Sequence, residues 1–238
     1  MPVDIYFVPK NCKTAYDKDM YTITDLFDLS HTKAKAYLKK FTYPHEVLLG
    51  IGAFISELSK NLPEDYYQIF PKVWAHKSVK VAGTAYIGEN CILGEGTEVR
   101  QGAFIRGNAL IGDNCVVGNS TEIKNAILFD GVQVPHYNYI GDSILGYKSH
   151  FGAGSITSNI KSDKTGVCIR FGNEKYDTGM RKVGAFVGDF AEIGCNSVLN
   201  PGTVIGRRAQ VYPLSCIRGT VMENHIYKNE KEVVKRYE

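Results

Sequence analysis

Apolar residues recur at every sixth position over most of the chain. Steps of six residues from Ala75 reach an apolar side chain each time as far as Phe129, and a second series of the same period runs from Val187 to Ile217. This period is typical of a parallel β-helix, in which stacked coils bury a column of apolar side chains that no single coil could bury alone. We therefore predict three-sided coils, each made of three repeats, so that residues separated by three repeats lie above one another.

The repeat is interrupted twice. Its phase changes after Phe129, and it resumes with Tyr139. It then stops over residues 157–182, where Val167–Tyr176 has the pattern of a β-hairpin that turns near Gly172. Loops that interrupt a rigid scaffold are where functional residues concentrate, so both interruptions are candidate sites.

The two ends of the chain lack the repeat. Residues 24–41 and 45–62 have helical periodicity, which predicts a helical cap over the open end of the solenoid. The charged tail predicts a short C-terminal helix. The expected organisation is a helical segment at 1–70, a β-helix at 71–222 with an inserted hairpin at about 165–182, and a C-terminal helix at 223–238.

Composition narrows the function classes. The net charge of +3 is too small to favour nucleic acid as a partner. The six cysteines form no CxxC pair and are expected to be reduced thiols. Neither an apolar run of membrane-spanning length nor a signal peptide is found, so we expect a cytoplasmic protein with small-molecule ligands and no membrane partner.

Candidate chemistry lies at and before the first interruption. Lys124 follows Arg106 by three repeats, the length of one predicted coil. Two stacked cations would suit a phosphate, although a solvated surface pair is an equally good interpretation. His136 lies within the interruption and is either a structural residue or a general base. Glu122 could pair with Lys124 or orient His136.

Three motifs, Gly118–Asn125, Pro135–Asp142 and Gly152–Asn159, carry a resemblance in their order and spacing. Over roughly residues 75–220 the chain resembles the acetyltransferase half of the bifunctional glucosamine-1-phosphate N-acetyltransferase/UDP-N-acetylglucosamine pyrophosphorylases. The resemblance implies a left-handed β-helix and a homotrimer with active sites between subunits. It also implies acetyl transfer from acetyl-CoA to an amino-sugar 1-phosphate such as glucosamine 1-phosphate, with no metal expected.

The resemblance implies roles for single residues. It makes His136 the general base, with Glu122 beside it. The sugar-phosphate ligands that it implies are Arg106, Lys124 and Tyr139. It also implies a phosphate-binding role for Lys164 and a position near the acetyl group for Asn159, and His150 stands at a substrate-contacting position. Its coenzyme A positions fall on Cys195 and Pro213, and the positive charges of Arg207, Arg208 and Lys228 make them candidates for the coenzyme's phosphates.

Departures from the family leave other functions open. His150 stands where the family has an asparagine, and the longer insertion also leaves the acceptor sugar undetermined. The GxGTRM loop of the nucleotidyltransferase domain is not found, so uridylyl transfer is not expected. One alternative is a non-catalytic sugar-phosphate-binding or assembly module. Another is a zinc hydratase of the γ-carbonic anhydrase type, with His76, His136 and His150 as ligands.

Overall fold

The computed structural model describes residues 20–236. Its α-helices are α1 (Ile23–Leu26), α2 (Lys35–Leu38) and α3 (Ile51–Leu58), with 3₁₀ turns at Leu29–His31, Pro44–Gly50 and Ser59–Asn61. The strands before the inserted hairpin are β1 (Tyr66–Phe70), β2 (Val73–His76), β3 (Lys80–Val81), β4 (Tyr86–Ile87), β5 (Cys91–Leu93), β6 (Glu98–Val99), β7 (Phe104–Ile111), β8 (Val116–Asn119), β9 (Glu122–Leu128), β10 (Gln133–His136), β11 (Tyr139–Leu145), β12 (His150–Phe151) and β13 (Ile156–Thr157). The strands that follow are β14 (Cys168–Phe171), β15 (Glu174–Asp177), β16 (Ala185–Val187), β17 (Glu192–Ile193), β18 (Val198–Leu199), β19 (Thr203–Ile205), β20 (Gln210–Val211), β21 (Cys216–Ile217), β22 (Thr220–Val221), β23 (His225–Asn229) and β24 (Glu232–Lys235). None of the helices within residues 20–236 has the length and hydropathy to cross a membrane.

The strands stack in parallel into a three-sided β-helix, as the six-residue period predicted. The first face contains β2, β5, β16, β19 and β22, and the second contains β4, β13, β18 and β21. Strands β7, β9 and β11 bend through the edge between these two faces and belong to both. The third face is formed by β3, β6, β8, β10, β12, β17, β20 and β23. The inward side chains, such as Leu93 and Ile111, are fully buried.

The coils are not all equal in length. Ile105 pairs with Ile123, but a β-bulge follows, and Gly107 instead of Arg106 lies opposite Lys124. Gly107 has φ 128°, which L side chains rarely adopt, so glycine permits the bulge. The prediction that Arg106 stacks directly on Lys124 is therefore wrong.

Because some coils are shorter than three full repeats, the inward residue comes one position earlier than predicted. Leu128, and not Phe129, pairs with the inward residue Ile111. In the next coil Ile140 pairs with Ile123, so Tyr139 points outward. The sequence correctly predicts a change of phase. The change begins before Phe129, in the shortened coil where Leu128 takes the inward position.

The N-terminal segment lies along the first face and does not cap the open end. Its Asp28 N–H donates to the Asp189 carboxylate at 2.7 Å, far along the solenoid, and Lys33 pairs with Asp113 several coils earlier. The chain then returns along the same face, where Asn125 Nδ2 donates to the Leu48 carbonyl at 3.2 Å. The predicted cap is therefore wrong in position, and its two helical stretches are short helices and 3₁₀ turns. Residues 1–19 of that predicted segment lie outside the described residues.

An outward apolar stripe explains this position. On the first face, from β5 to β19, the residue before each inward one is also apolar and at most 1% exposed beneath the N-terminal segment; the six residues are Ile92, Leu110, Ile127, Ile144, Phe186 and Val204. Left bare, such a stripe would form a contiguous exposed apolar patch, which soluble proteins rarely tolerate. In the sequence, two consecutive apolar residues at every third repeat indicate a face of the solenoid that another segment covers.

Antiparallel strands close both ends of the solenoid. Strand β1 pairs with β2 at the first coil, and β24 pairs with β23 at the last. The predicted helix at 223–238 is therefore wrong over its described residues. Tyr227 continues the inward column from Val211, and a strand covers the sheet edge that would otherwise stay unpaired.

The inserted hairpin is confirmed. Strands β14 and β15 pair antiparallel around Gly172, which has φ 57°. The hairpin is tied to the later coils, because Thr220 Oγ1 donates to the Arg170 carbonyl at 2.6 Å. It therefore packs against β19 and β22 of the first face, at the last coils of the solenoid.

The cysteines divide sharply by burial, which gives a testable difference. Burial raises the pKa of the Cys91 and Cys115 thiols to about 12, whereas Cys195 and Cys216 are exposed. Because the thiolate is the nucleophile, only about 10⁻⁴ of either buried thiol is reactive at pH 8. We expect iodoacetamide to modify Cys195 and Cys216 in the native protein and the buried pair only after unfolding, as read by peptide mass spectrometry. Native labelling of Cys115 as fast as Cys216 would contradict this prediction. Cys12 lies outside the described residues.

Candidate functional site

Two charged pairs lie on the edge between the second and first faces. Arg106 Nη1 lies 2.8 Å from Glu122 Oε1, and Lys124 Nζ lies 3.1 Å from Asp142 Oδ2. Each cation is thus neutralised by a carboxylate from the next coil. Glu122 pairs with Arg106, which was neither of the two roles considered for it from the sequence. We call this edge, with Lys124, Asp142, Asn159, Asn200 and Arg218 in successive coils, the lysine edge.

Asp142 is the residue that sequence reasoning missed. Only 5% of it is exposed, and its carboxylate accepts hydrogen bonds from Lys124, from Asn125 Nδ2 at 2.9 Å and from Asn159 Nδ2 at 2.5 Å. Asn125 and Asp142 have φ near 46° and 48°, a left-handed conformation that Asn and Asp tolerate better than most residues. Asp142 therefore both turns the corner and fixes the position of Lys124. It lies within the motif that carried the resemblance, which is the signal that could have found it.

Tyr139 joins this cluster from the second face. It stands directly above Glu122 in the strand register. Burial raises the pKa of the Tyr139 hydroxyl, and the neighbouring Asp142 and Glu122 carboxylates raise it further, while a hydrogen bond with Asn159 opposes them. The hydroxyl thus stays protonated and can donate a hydrogen bond.

His136 lies on the other edge of the second face, where β10 ends and the chain turns into β11. Its backbone is fixed, because its N–H donates to Asn138 Oδ1 at 3.1 Å and its carbonyl accepts from Gly154 N–H at 3.0 Å. The imidazole is exposed and has no hydrogen-bond partner within residues 20–236. It is therefore held in place by its backbone while its ring stays open to a ligand.

Two predicted coenzyme A positions follow His136 along the same edge. Asn196 N–H donates to the Ala153 carbonyl at 2.8 Å, and Leu214 N–H donates to the Cys195 carbonyl at 2.9 Å. Cys195 and Pro213 thus lie one and two coils beyond Ala153. We call the edge that contains His136, Ala153, Cys195 and Pro213 the histidine edge.

Other predicted ligands lie elsewhere on the subunit. His150 points outward from the third face, and its Nδ1 lies 2.9 Å from Glu192 Oε2. Lys164 is an exposed residue of the insertion, and its carbonyl accepts a hydrogen bond from Arg181 Nε at 3.1 Å. Within one chain the structure does not bring these two residues to the charged cluster.

The three cations expected near coenzyme A phosphates already have partners. Arg207 Nε lies 3.3 Å from Asp189 Oδ2, and Arg208 lies over the Phe190 ring. Both belong to the edge between the first and third faces. Lys228 pairs with Glu232 at 2.5 Å.

The three histidines of the hydratase alternative are also apart. His76 Nδ1 contacts Ser78 Oγ at 2.7 Å, His150 contacts Glu192, and His136 is on its own edge. In the described part of the chain no group of three His, Cys, Asp or Glu side chains has the arrangement of a metal site.

Comparison with known proteins agrees with the motifs. A family model described as the GMPPB C-terminal domain matches residues 95–169. The bifunctional sugar-1-phosphate nucleotidylyltransferase/acetyltransferase of Sulfurisphaera tokodaii is 28% identical over 165 residues, which is 69% of this chain and 41% of that protein. The bifunctional protein GlmU of Methanococcus maripaludis is 31% identical over 111 residues, 46% of this chain and 26% of that protein. The chain resembles the acetyltransferase half of these bifunctional proteins. The resemblance predicted from the sequence is thereby confirmed.

The chain spans less than half the length of these two relatives. Among solved structures, a GDP-perosamine N-acetyltransferase from Caulobacter crescentus, in complex with CoA and GDP-perosamine, has a TM-score of 0.35 at 17% identity. That match covers 71% of this chain and 58% of the other.

Proposed function

We propose that the chain is an acetyl-CoA-dependent N-acetyltransferase whose acceptor is an amino-sugar 1-phosphate such as glucosamine 1-phosphate. The observation that carries this proposal is the pair of edges flanking the second face. One holds the Arg106–Glu122 and Lys124–Asp142 ion pairs, and the other holds the open His136 imidazole. The relatives named as acetyltransferases support the same reaction class.

In the proposed reaction the sugar amine attacks the thioester carbonyl carbon. The C–N bond forms, the C–S bond breaks, and the coenzyme leaves as a thiol. His136 accepts the amine proton, as a neutral imidazole can, and passes it to the departing sulfur, which becomes the thiol. The N–H groups of Gly152 and Gly154 already donate to Ile193 and His136 carbonyls, which leaves the Ala153 N–H to stabilise the oxyanion.

The acceptor phosphate would be held at the lysine edge. Arg106 uses one of its five guanidinium donors on Glu122, and Lys124 uses one of three on Asp142, so donors remain for a phosphate. Tyr139 adds a protonated hydroxyl. The carboxylates keep both cations in place before the ligand arrives.

The second face separates His136 from Lys124 within one chain. A ligand that contacts both must therefore cross the face or lie between two copies of the chain. We propose the second arrangement, in a homotrimer whose sites each lie between two subunits, one contributing its lysine edge and the other its histidine edge. Crosslinking or light scattering at assay concentration tests the trimer.

One observation favours a second candidate function, a sugar-phosphate-binding module without turnover. Glu122 pairs with Arg106, so the described chain supplies no partner that orients the His136 imidazole. Tight binding of glucosamine 1-phosphate without release of coenzyme A would support this candidate over the enzyme.

Lys124→Met should raise the KM for glucosamine 1-phosphate roughly 10- to 100-fold, because it removes one charged donor to the phosphate. The kcat should change little, since the lysine contacts a group that does not react. Release of coenzyme A from acetyl-CoA, followed with a thiol reagent, gives both constants and is also the test of the proposed function.

A matched control is Lys80→Met, which removes a lysine 80% exposed on the third face and should leave both constants unchanged. Glucosamine without its phosphate should be a poor acceptor for the wild type and equally poor for Lys124→Met. The proposed acceptor is wrong if wild-type protein releases no more coenzyme A with glucosamine 1-phosphate than without it.

A further inference from the structure

A basic cavity lies between the inserted hairpin and the last coils. Its volume is about 210 Å³, which suits a small anionic group better than a whole drug-sized ligand. The lining residues are Lys161, Cys168, Arg170, Lys175, Asn200, Pro201, Arg218 and Gly219. Four of these carry positive charge and none carries negative charge, so the cavity attracts anions.

Three of the four cations lack partners in the described part of the chain. Lys161 donates to the Gly166 carbonyl at 3.1 Å and lies 3.7 Å from Asp163. By contrast, the side chains of Arg170, Lys175 and Arg218 form no hydrogen bond or ion pair within residues 20–236.

The hairpin places two of these cations against each other. Arg170 lies directly opposite Lys175 in the antiparallel register, and like charges in that position destabilise a strand pair. Asp177, two residues along from Lys175, lies outside the cavity and accepts the Gly179 N–H at 3.0 Å. The described chain therefore carries an electrostatic cost here that a bound anion would offset.

The third cation comes from the solenoid and is held close by backbone geometry. Arg218 precedes Gly219, which has φ 89° and whose Cβ position would lie 3.3 Å from the Arg170 Cβ. The Thr220 hydroxyl fixes the Arg170 backbone from the same coil. The cations thus converge from two elements that are tied together, and their grouping does not depend on one flexible loop.

The cavity continues the lysine edge. Asn200 lies two coils beyond Asp142, and Arg218 lies three coils beyond it. At a strand spacing of about 4.8 Å, the cavity is roughly 10–15 Å from the Lys124–Asp142 pair. That distance would let one extended ligand occupy both places.

We propose that this cavity binds a phosphoryl group at the far end of a substrate. Assigning the group to a substrate rests on the proposed function, whereas the anion site itself does not. Two molecules carry the shared chemistry through a diphosphate: the acyl-CoA donor of the proposed reaction, and a nucleotide-linked amino sugar, which would take the place of the sugar 1-phosphate as acceptor. Arginine's planar guanidinium suits either diphosphate, because it donates two parallel hydrogen bonds to a phosphate.

Calorimetric titration of the full-length protein tests the site without turnover. Inorganic pyrophosphate is the probe for the site, and coenzyme A and uridine diphosphate distinguish its two sources. Arg170→Gln/Arg218→Gln should weaken pyrophosphate binding roughly tenfold or more, because two charged donors are lost. If the double variant also binds coenzyme A more weakly, the ligand of the cavity is the acyl donor. If it binds uridine diphosphate more weakly, the ligand is the acceptor.

Lys80→Gln is the matched control, since it removes a side chain 80% exposed on the third face of the first coil, at the opposite end of the solenoid from the cavity, and should leave all three dissociation constants unchanged. Without ligand, Arg170→Gln should unfold at an equal or higher temperature than wild type, because it relieves the Arg170–Lys175 repulsion. The proposal is overturned if wild type binds none of the three probes, or if the double variant binds them as wild type does. If the double variant matched wild type in both acetyl transfer and anion binding, the cavity proposal alone would be overturned. If wild type showed no acetyl transfer while the double variant bound anions more weakly than wild type, only the proposed reaction would be overturned.

Discussion

Replacing His136 with alanine is expected to lower the kcat for acetyl transfer about 10²- to 10⁴-fold, the usual contribution of a general base. The imidazole is exposed on an edge whose backbone is fixed by Asn138 and Gly154, so the substitution removes the ring without moving the chain. Binding of glucosamine 1-phosphate should change only a few-fold, because its phosphate is proposed to lie at the lysine edge. Initial rates of coenzyme A release, together with a calorimetric dissociation constant, separate the two effects.

His225→Ala is the matched control for this variant. Its Nδ1 contacts the Glu223 carbonyl at 2.7 Å in the last coil, away from both edges that form the proposed site. It should retain wild-type rates. Equal background rates for wild type and His136→Ala would remove the enzyme proposal for this acceptor and leave the binding module.

The β-helix could be predicted because its determinant is one-dimensional. Over the first coils each inward aliphatic residue lies six positions from the next, and the shortened coils that follow change this spacing by only one residue. The hairpin at Gly172 was predictable for a similar reason, since strand alternation and turn residues are local signals.

The positions that failed depend on what packs from outside. A helical pattern at 24–41 shows an apolar stripe but not which surface the stripe meets, and here Phe27 packs against Phe129 on the flank of the solenoid, with ring centroids 5.1 Å apart. Gly107 marks the bulge that ended the regular stacking of coils, yet a glycine between strands is equally consistent with an ordinary turn. The charges of the C-terminal segment suit an exposed helix, but the segment forms strands because an open sheet edge is available for pairing.

The candidate site was predictable in its residues and not in its pairings. His136, Lys124 and Tyr139 follow from the motifs, but the shortened coil sets which carboxylate each cation meets. Asp142 lies three full repeats after Lys124, so the stacking rule was a signal that could have found their pair, although the register places Gly141 opposite Lys124.

Gly118→Ala should reduce the free energy of unfolding by about 3 kcal/mol or more, at the severe end of overpacking. A Cβ at this position would lie 1.5 Å from the Pro135 carbonyl oxygen and 2.1 Å from its carbonyl carbon. Both are backbone atoms, so no side-chain rotation relieves the clash, and adjacent coils would have to separate. Urea unfolding followed by circular dichroism gives the free energy through the midpoint and slope.

Gly83→Ala is the matched control, because its Cβ would meet nothing within 4 Å. It should change the free energy of unfolding by no more than about 0.5 kcal/mol. Pro135 immediately precedes His136, so any folded fraction of Gly118→Ala must displace the imidazole as well and should lose acetyl transfer beyond its loss of folded protein. Equal urea midpoints for the two glycine variants would mean that adjacent coils are not packed as closely as this contact requires. A stable Gly118→Ala variant with wild-type turnover would mean that the reaction does not depend on the position of His136.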